Sequence, residues 1–536
     1  MANTVADAFA ATAAAHGQQT FLVVPARAGR DWHPSGIAFT YGAAAQKIDW
    51  LRQRYAQAGY GRGHRVALLL ENRPEFFFHY LALNALGAGI VPVNPDYRHD
   101  EMLYLIDHSE AELAVVLPHR TADMHRVAAE RSKALAVVDA LALPDELPRP
   151  AGSRRPGDPG LETECALLYT SGTTGRPKGC MLSNFYFLNS ARTYCNLGGL
   201  IDIRPGKERF YNPLPLFHMN HLAITATAAI LTANTLVLPE RFSPTRWWPE
   251  VSATGATIIH YLGIVAPMLL NQPPGPADRQ HKVRFGIGAG IEPQLHEAFE
   301  QRFGFPMIEV WGMTETGRIM AASREPRLID TRAFGRPFSG FDARVVDAEN
   351  RDVPAGAEGE LLVRHAQEAP RHGFFSGYLK NDAATEEAWQ GGWFHTGDVV
   401  RQDASGMLYF VDRKKNIIRR AGENIAAAEV EAVLQAHGSV AQVAVLAVPD
   451  ELREEEVLAC VVPTSGVAAG PSLAAALFDH CYACLAYFKA PGWMLFLDKL
   501  PTTGTQKVQK TQIFGAGEDP LSRAGIIDLR ARKKRG

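Results

Sequence analysis

The chain has 536 residues, of which 46% are hydrophobic, so it has enough apolar surface for more than one packed core. Its 55 basic and 57 acidic residues leave a formal net charge of −2. This balance excludes a protein whose overall charge attracts nucleic acid or an anionic membrane. Six cysteines with no framework of spacings indicate free thiols in a reducing compartment, so we expect a cytoplasmic protein.

The first 150 residues alternate helical patterns with short apolar runs, such as those over 65–70 and 114–117. This alternation predicts βα units on a largely parallel sheet. A segment rich in Pro, Gly and Arg over 148–160 indicates an exposed linker, after which the alternation resumes. The longest uncharged stretch, 222–238, contains several polar residues and ends at Pro239. It predicts a buried helix and a strand, because a membrane span needs about 20 predominantly apolar residues.

The pattern changes to a hairpin between 344 and 364, and a charged segment begins at Asp412. We predict a boundary there, with an N-terminal domain over 1–411 and a C-terminal domain over 412–536. The basic residues 530–535 predict a solvated tail. The predicted elements around and after the boundary are strands over 407–411, 443–448, 457–462 and 493–498 and helices over 426–437 and 472–485.

The strongest local signal is an apolar strand that runs into the residues Thr-Ser-Gly-Thr-Thr-Gly over 170–175, with Lys178 shortly after. Such a loop offers backbone N–H groups and hydroxyls without bulky side chains, so phosphate oxygens can approach closely. It is not a Walker A loop, because Pro177 stands where that pattern has Gly and no Ser or Thr follows the Lys. For the composition alone, an ordinary surface turn is the alternative.

The full string over 170–179, TSGTTGRPKG, resembles the signature loop of the adenylate-forming superfamily. That superfamily contains acyl-CoA synthetases, peptide-synthetase adenylation domains and firefly luciferase. The resemblance implies an α/β fold, with a large N-terminal domain of βα sub-lobes that includes a small β-barrel-like part, and a small mobile α+β C-terminal domain. It also implies that ATP phosphates are held by Thr170, Ser171, Gly172, Thr173, Thr174 and Lys178.

The segment over 311–315, WGMTE, resembles the family's aromatic-Gly-x-Thr-Glu motif. The resemblance implies that Trp311 lies against adenine beside Gly312 and Met313, that Thr314 contacts the α-phosphate region, and that Glu315 helps to hold Mg²⁺. An aromatic face suits a purine, and a hard carboxylate oxygen suits Mg²⁺ that bridges phosphates. Outside this pentapeptide, a Trp is more often a core residue and a Glu a solvated one.

Two further matches extend the nucleotide site. Gly288, Ala289 and Gly290 align with the family's adenine-side turn, although Gly290 stands where Pro is frequent. The segment WFHTGD, ending at Asp398, resembles the motif whose Asp accepts both ribose hydroxyls, which one carboxylate can do. Arg413 follows at the position that contributes to ribose or phosphate binding. A turn capped by Asp398 is the alternative.

The C-terminal part carries three further matches. Lys415 falls at the family's hinge position. The segment RRAGEN over 419–424 matches the one that presents Gly422, with Arg419 and Glu423, to the side where the CoA thioester forms.

Lys507 is the catalytic lysine by position in the loop over 500–510. Two departures from the family lie in this loop. Thr502 stands where Arg is common, and Gln506 stands where Gly is usual. Gln adopts a positive φ less readily than Gly, so we expect Gln506 to affect the geometry of this loop.

The segment PLPLFH, ending at His218, resembles the one in which acyl-CoA synthetases place a His beside the substrate carboxylate. A structural His is the alternative. By the same resemblance, His218, residues 261–263, Ile287 and Met313 line the acid pocket, and their mixed character does not identify the acid. The segments at His218 and 419–424 resemble the crotonobetaine/carnitine-CoA ligase branch and medium-chain or aryl acid relatives.

These matches predict an AMP-forming acid–CoA ligase that uses ATP, Mg²⁺ and coenzyme A. A carboxylate would first attack the α-phosphorus of ATP, giving an acyl-adenylate and pyrophosphate, and the CoA thiol would then form the thioester. The partners would be a small carboxylic acid and CoA, and a homodimer is left open. The alternatives are a stand-alone adenylation enzyme that loads a carrier protein, a luciferase-like oxidative relative and, least favoured, a phosphate-binding scaffold.

Overall fold

The computed structural model describes residues 2–170, 177–420, 423–450, 453–485, 487–502, 508–515 and 517–533. Within these ranges, the side chains of five residues are not described: 415, 419, 423, 424 and 454. The chain divides into two compact units, one with residues 1–342 and 364–393 and the other with residues 343–363 and 394–536. This division into compact units does not test the predicted boundary between 411 and 412, because that boundary refers to a domain that moves. The boundary therefore stays a prediction.

The elements follow one another in βα alternation through most of the chain. The α-helices are α1 (Val5–His16), α2 (Tyr41–Ala58), α3 (Pro74–Ala85), α4 (His99–Ser109), α5 (Thr121–Glu130), α6 (Asn184–Cys195), α7 (Thr227–Leu231), α8 (Trp247–Thr254), α9 (Val265–Leu270), α10 (Pro293–Phe303), α11 (Asp382–Ala388), α12 (Ala427–Gln435) and α13 (Pro471–Cys484). The strands are β1 (Thr20–Val24), β2 (Ile37–Thr40), β3 (Arg65–Leu69), β4 (Gly89–Pro92), β5 (Leu113–Val116), β6 (Ala136–Asp139), β7 (Glu164–Thr170), β8 (Lys178–Ser183), β9 (Arg209–Tyr211), β10 (Thr235–Val237), β11 (Ile258–Leu262), β12 (Phe285–Ala289), β13 (Met307–Gly312), β14 (Ile319–Ala321), β15 (Ala333–Gly335), β16 (Asp342–Val346), β17 (Glu358–Arg364), β18 (Gly377–Tyr378), β19 (Phe394–Gln402), β20 (Leu408–Arg413), β21 (Ile417–Arg420), β22 (Glu423–Ala426), β23 (Val440–Asp450), β24 (Glu454–Pro463), β25 (Trp493–Phe496) and β26 (Ile527–Asp528).

Two largely parallel sheets form the first unit. One has the order β18-β8-β7-β4-β3-β5-β6, and the other has the order β14-β13-β12-β11-β9-β10-β1-β2. Their inner strands are short apolar runs, such as Leu-Ala-Val-Val in β5, and they are buried along their length. Strands buried on both faces are expected to be continuously apolar, which explains the runs in the sequence.

The uncharged stretch over 222–238 is buried, as predicted. It contains most of a π-helix (Asn220–Ala226), then α7 and β10. Among the described residues, no helix is long and apolar enough to cross a membrane.

The second unit contains an antiparallel sheet in the order β20-β19-β17-β16, in which the neighbouring strands β16 and β17 correspond to the hairpin predicted between 344 and 364. It also contains a mixed sheet in the order β22-β21-β24-β25-β26, with β23 paired to β24. The apolar faces of α12 and α13 pack on this sheet through a core that includes Val430, Leu434 and Leu477. The predicted α/β class with a small α+β C-terminal part is confirmed, and the element boundaries move by a few residues.

The C-terminal segment, residues 527–533, corrects one expectation. We predicted a solvated basic tail, but β26 pairs with β25, and the Leu529 amide donates to the Gly492 carbonyl at 2.8 Å. The cations then meet carboxylates: Arg530 bonds to Asp450 at 3.2 Å, and the Lys533 side chain is buried against Glu456. Charge composition alone suggested solvation, whereas carboxylates far away in sequence hold the segment in place.

One ion pair fixes the strand that carries the predicted adenine residue. Glu300 on α10 accepts from the Met307 amide at 2.8 Å, at the start of β13, and from Arg327 at 2.6 Å. Burial alone would raise the pKa of Glu300, but hydrogen bonds from Arg327, His296 and Met307 outweigh it and lower the pKa to about 2.

We expect the Glu300→Gln variant to be less stable than the parent by about 3 kcal/mol at neutral pH. Because the folded-state pKa is depressed, the contribution of Glu300 is present above its ordinary pKa of 4.5 and is lost as pH falls from 4.5 towards 2. Denaturant unfolding of both proteins at several pH values measures the difference. The exposed Glu297→Gln on the same helix is the control, and a difference independent of pH would contradict the assignment.

Candidate active site

The predicted phosphate loop is bracketed by a β-hairpin. β7 and β8 pair antiparallel, and Thr170 lies opposite Lys178 in their register. The hairpin forms because Cys165, Leu167 and Leu168 on β7 are buried in the sheet. Four predicted phosphate-binding residues lie outside the described residues: Ser171, Gly172, Thr173 and Thr174.

Tyr378 joins Lys178 to Glu315. Its hydroxyl donates to Glu315 Oε1 at 3.0 Å, and Lys178 Nζ lies 4.8 Å from its ring centroid. Tyr378 reaches this place because β18 pairs with β8, with Tyr378 opposite Cys180. Burial, followed by the nearby Glu315 charge, raises the pKa of Tyr378 far above its ordinary value, so the phenol stays protonated and donates. No local sequence pattern marks this residue as part of the site.

Backbone contacts hold the loop that carries Thr314 and Glu315. The Tyr186 hydroxyl donates to the Thr314 carbonyl at 2.7 Å, and the Phe375 amide donates to the Glu315 carbonyl at 2.9 Å. Gly317 has φ +61°, and a Cβ there would lie 2.5 Å from the Tyr186 ring. The chain therefore turns at Gly317, and the Glu315 side chain stays buried.

Trp311 is more enclosed than the adenine role suggests. It lies on β13 with 5% of its surface exposed, and its ring centroid is 6.2 Å from that of Phe334. Gly312 is exposed, and Met313 and Thr314 are half-buried. The contact between Trp311 and adenine stays a prediction.

Glu309 holds the turn over 288–290. It accepts from the Gly290 amide at 2.8 Å, from the Ile291 amide at 3.2 Å and from the Tyr261 hydroxyl at 2.6 Å. Burial raises the pKa of Glu309, and the hydrogen bond from Tyr261 opposes that rise. At Gly288, a Cβ would lie 2.2 Å from the Tyr261 carbonyl oxygen, so this position has no room for a side chain. The sequence analysis missed Glu309, which stands two residues before Trp311.

We expect Glu309→Gln to raise the KM for ATP about tenfold. The Gln side chain has one acceptor oxygen and one NH₂ donor, so it cannot offer a separate acceptor oxygen to each of the two backbone N–H groups. Tyr261→Phe removes only the third bond to the carboxylate, so its effect should be about threefold. Initial rates of pyrophosphate release at varied ATP measure both. A change below twofold for Glu309→Gln would show that the turn does not depend on this carboxylate.

His218 lies beside a buried polar cluster. The ring centroids of His218 and Phe217 are 4.5 Å apart. The π-helix Asn220–Ala226 begins two residues after His218. Asn220 Oδ1 accepts from Asn212 at 3.0 Å and bonds to His260 Nδ1 at 3.1 Å. Burial lowers the pKa of His260 to about 3, so this imidazole is neutral. π-helices are rare and are frequently found at functional sites, a signal that sequence periodicity does not provide.

In the second unit, the predicted ribose residues are adjacent. Asp398 on β19 lies opposite Arg413 on β20, and Arg413 Nε is 2.8 Å from Asp398 Oδ1. Asp398 is buried, with its amide bonded to Thr396 Oγ1 at 3.1 Å. A carboxylate can accept several hydrogen bonds, which suits the predicted contact with ribose hydroxyls, and that contact stays a prediction.

The remaining predicted residues follow this pair along the chain. Lys415 lies in a short 3₁₀ turn, Lys414–Asn416, directly after the buried Asp412. Arg419 and Glu423 lie on the paired strands β21 and β22, with only their backbones described. Gly422 and Lys507 lie outside the described residues.

The donors present fit a magnesium ion that arrives with a nucleotide. Among the described residues, no three His, Cys, Asp or Glu side chains cluster as a metal site. The Glu315 carboxylate accepts from Tyr378 and lies within hydrogen-bonding distance of the Cys180 side chain, and a carboxylate has lone pairs for a cation in addition to two such partners. Mg²⁺ is commonly bound by one or two carboxylates plus substrate phosphates, so a single carboxylate near Lys178 suits it.

Two family models match most of the chain. Residues 9–379 match the AMP-binding enzyme family, and residues 429–507 match the C-terminal domain of AMP-binding enzymes. The protein therefore belongs to the AMP-binding enzyme family.

Named relatives lie in the same family. A sulfoacetate–CoA ligase of Cupriavidus necator is 31% identical, with 96% of this chain and 97% of the relative covered. A crotonobetaine/carnitine–CoA ligase of Proteus mirabilis is 29% identical, with 89% of this chain and 93% of the relative covered. Among solved structures, O-succinylbenzoate coenzyme A synthetase from Bacillus subtilis in complex with AMP is 25% identical with a TM-score of 0.79, covering 95% of this chain and 98% of that chain.

Proposed function

We propose that this protein is an AMP-forming acid–CoA ligase. It joins a small carboxylic acid to AMP at the expense of ATP and then transfers the acyl group to the thiol of coenzyme A. The observation that carries this proposal is the group of Lys178, Tyr378 and Glu315 at the base of the Thr170–Lys178 hairpin. It places a cation and a buried carboxylate at the strand ends that flank the Ser, Thr and Gly residues of 171–175 in the sequence.

This arrangement suits attack at the α-phosphorus of ATP. The transition state places additional negative charge on phosphate oxygens, and fixed charges that are already oriented stabilise it. Glu315, with Thr314 next to it, would bind Mg²⁺ on the phosphates, and Lys178 would contribute a positive charge. Lys507 would bridge the acid and the α-phosphate as a protonated amine, and His218 would lie beside the acid carboxylate.

ATP, Mg²⁺ and CoA are the proposed co-substrates and cofactor. The two named relatives are CoA ligases, which supports CoA as the acceptor. All six cysteines are free, which supports a reducing cytoplasm. A homodimer stays a prediction, and light scattering of the purified protein would measure it.

The test is a panel of acids assayed for pyrophosphate release with and without CoA. The panel should include sulfoacetate, crotonobetaine, short- and medium-chain fatty acids and aryl acids. The proposal expects at least one acid to release pyrophosphate and to give AMP and an acyl-CoA in equal amounts when CoA is present. The products can be quantified by chromatography.

Two outcomes would contradict the proposal. If an acid is adenylated but CoA never discharges the adenylate, whereas a carrier protein does, the chain is a stand-alone adenylation enzyme. If adenylation is followed by oxygen uptake, the chemistry is luciferase-like. Omitting Mg²⁺ or the acid controls for contaminating pyrophosphatase or ATPase activity.

A further inference from the structure

Two carboxylates of the second unit each form an ion pair with a lysine that is distant in sequence. They are Glu431 on α12, which pairs with Lys510, and Glu456 on β24, which pairs with Lys533. The motifs discussed above give no role to either pair. Each pair, however, lies next to one of the two segments to which the proposed function gives a chemical step.

Lys510 anchors the chain just after the loop that contains Lys507. Its Nζ lies 2.8 Å from Glu431 Oε1, and the Val445 amide donates to the same carboxylate oxygen at 2.7 Å. Thr502 and Val508, which flank the segment that contains Lys507 in the sequence, form a β-bridge. The ion pair therefore ties the end of this loop to α12 and, through Val445, to β23.

Glu456 anchors the hairpin that contains Gly422. Its Oε2 accepts from Arg420 Nε at 2.8 Å, and Arg420 is the last residue of β21, paired with Glu423 across the turn. The side chains of Glu456 and Arg420 are buried. Gly492 gives Glu456 its space, because a Cβ there would lie 2.5 Å from the Glu456 side chain.

Lys533 holds the other oxygen of Glu456. Its ammonium donates to Glu456 Oε1, which also accepts from the Val457 amide at 2.9 Å, and to the Phe488 carbonyl at 3.1 Å. The Lys533 side chain is 1% exposed. A buried carboxylate keeps a fixed orientation when both oxygens have partners, so Lys533 leaves Oε2 directed at Arg420.

We propose that Lys510 and Lys533 are positioning residues with separate tasks. Lys510 holds the Lys507 loop for acyl-adenylate formation, and Lys533, acting through Glu456 and Arg420, holds the turn at Gly422 for thioester formation. The two anchors share no residue and belong to different elements, so each is expected to affect one step. The inference rests on the proposed function and on the roles that the family resemblance predicts for Lys507 and for residues 419–424.

The experiment measures each half-reaction in Lys510→Met and Lys533→Met, using an acid from the panel. Acyl-adenylate formation is followed by ATP–pyrophosphate exchange, and thioester formation by single turnover of supplied acyl-adenylate with CoA. Lys510→Met should slow the first step about tenfold and the second less than twofold. Lys533→Met should do the opposite, because small displacements of reacting groups cost large factors in rate.

Matched variants separate positioning from folding. Arg532→Met removes the neighbouring exposed ion pair to Asp479 and should change neither step by more than twofold. In a Glu456→Gln background, Lys533→Met should slow thioester formation by less than a further twofold, since the two residues act as a unit. Lys533→Met leaves the opposite charges of Arg420 and Glu456 paired with each other. If Lys510→Met does not fold, the double variant Glu431→Gln/Lys510→Met takes its place, because it removes both charges of that pair.

The outcomes are distinct. If a lysine variant slows both steps equally, its ion pair only supports folding, and the role proposed for that lysine is wrong. A variant that changes neither rate would overturn the role as well. A parent enzyme that adenylates an acid but never uses CoA would refute the proposed function and the task of Lys533 with it. The task of Lys510 would still be decided by pyrophosphate exchange alone.

Discussion

Lys507→Ala is expected to reduce acyl-adenylate formation by a factor of about 10²–10³ while sparing thioester formation from supplied acyl-adenylate. The amine is expected to neutralise charge that develops between the acid and the α-phosphate, and loss of one such preorganised group typically costs about 10²–10³ in rate. The CoA step does not need this group, because the phosphate has already become part of the leaving group. Pyrophosphate exchange and single-turnover thioester formation measure the two steps separately.

The exposed Lys499, close by in sequence, provides the matched control for this variant. Lys499→Ala should leave both half-reactions within twofold of the parent. Equal loss of both steps in Lys507→Ala would count against its assignment as the adenylating lysine. It would indicate instead that the loop is needed for the fold of the second unit.

Glu315→Gln is expected to lower acyl-adenylate formation by about 10²–10³-fold and to raise the Mg²⁺ concentration needed for half-maximal rate. Gln keeps the size of the side chain but removes the charge that would balance the metal ion on the phosphates. Titration of pyrophosphate release with Mg²⁺ measures the effect. Binding of Mn²⁺ with ATP, followed by electron paramagnetic resonance, reports the same site without turnover.

Tyr378→Phe and Tyr378→Leu separate the effect of the Tyr378 hydroxyl on Glu315 from the effect of its ring on Lys178. Phe removes the hydrogen bond to Glu315 and keeps a ring beside Lys178, whereas Leu removes both contacts. We expect Phe to raise the Mg²⁺ requirement about tenfold or less, and Leu to lower the affinity for ATP as well. An unchanged Mg²⁺ requirement in Glu315→Gln would exclude this carboxylate as a metal ligand.

The sequence predicted what depends on neighbours along the chain. The βα alternation, the buried stretch at 222–238 and the strand before Thr170 all follow from local apolar patterns, and the structure has them. The same patterns placed the elements around α12 and α13 within a few residues. Motif resemblance supplied the candidate site, since no local pattern links Glu315 to a phosphate loop.

Contacts between distant segments could not be predicted in this way. Tyr378 meets Glu315 across 63 residues of sequence, and Lys533 meets Glu456 across 77. Each partner alone is an unremarkable tyrosine, lysine or glutamate, and only the sheet order brings them together. The burial of Trp311 and the ordered contacts of the C-terminal segment have the same origin.

The backbone contact between two glycines has a consequence for how the ligands bind. A Cβ on Gly263 would lie 1.9 Å from the Gly290 carbonyl oxygen, so the turn predicted to line the acid pocket touches the turn predicted to face adenine with no side chain between them. Neither turn can move towards the other, because their backbones are already in contact. Any factor by which nucleotide tightens the binding of acid must equal the factor by which acid tightens the binding of nucleotide, so measuring both affinities in either order of addition tests whether this contact couples the two ligands.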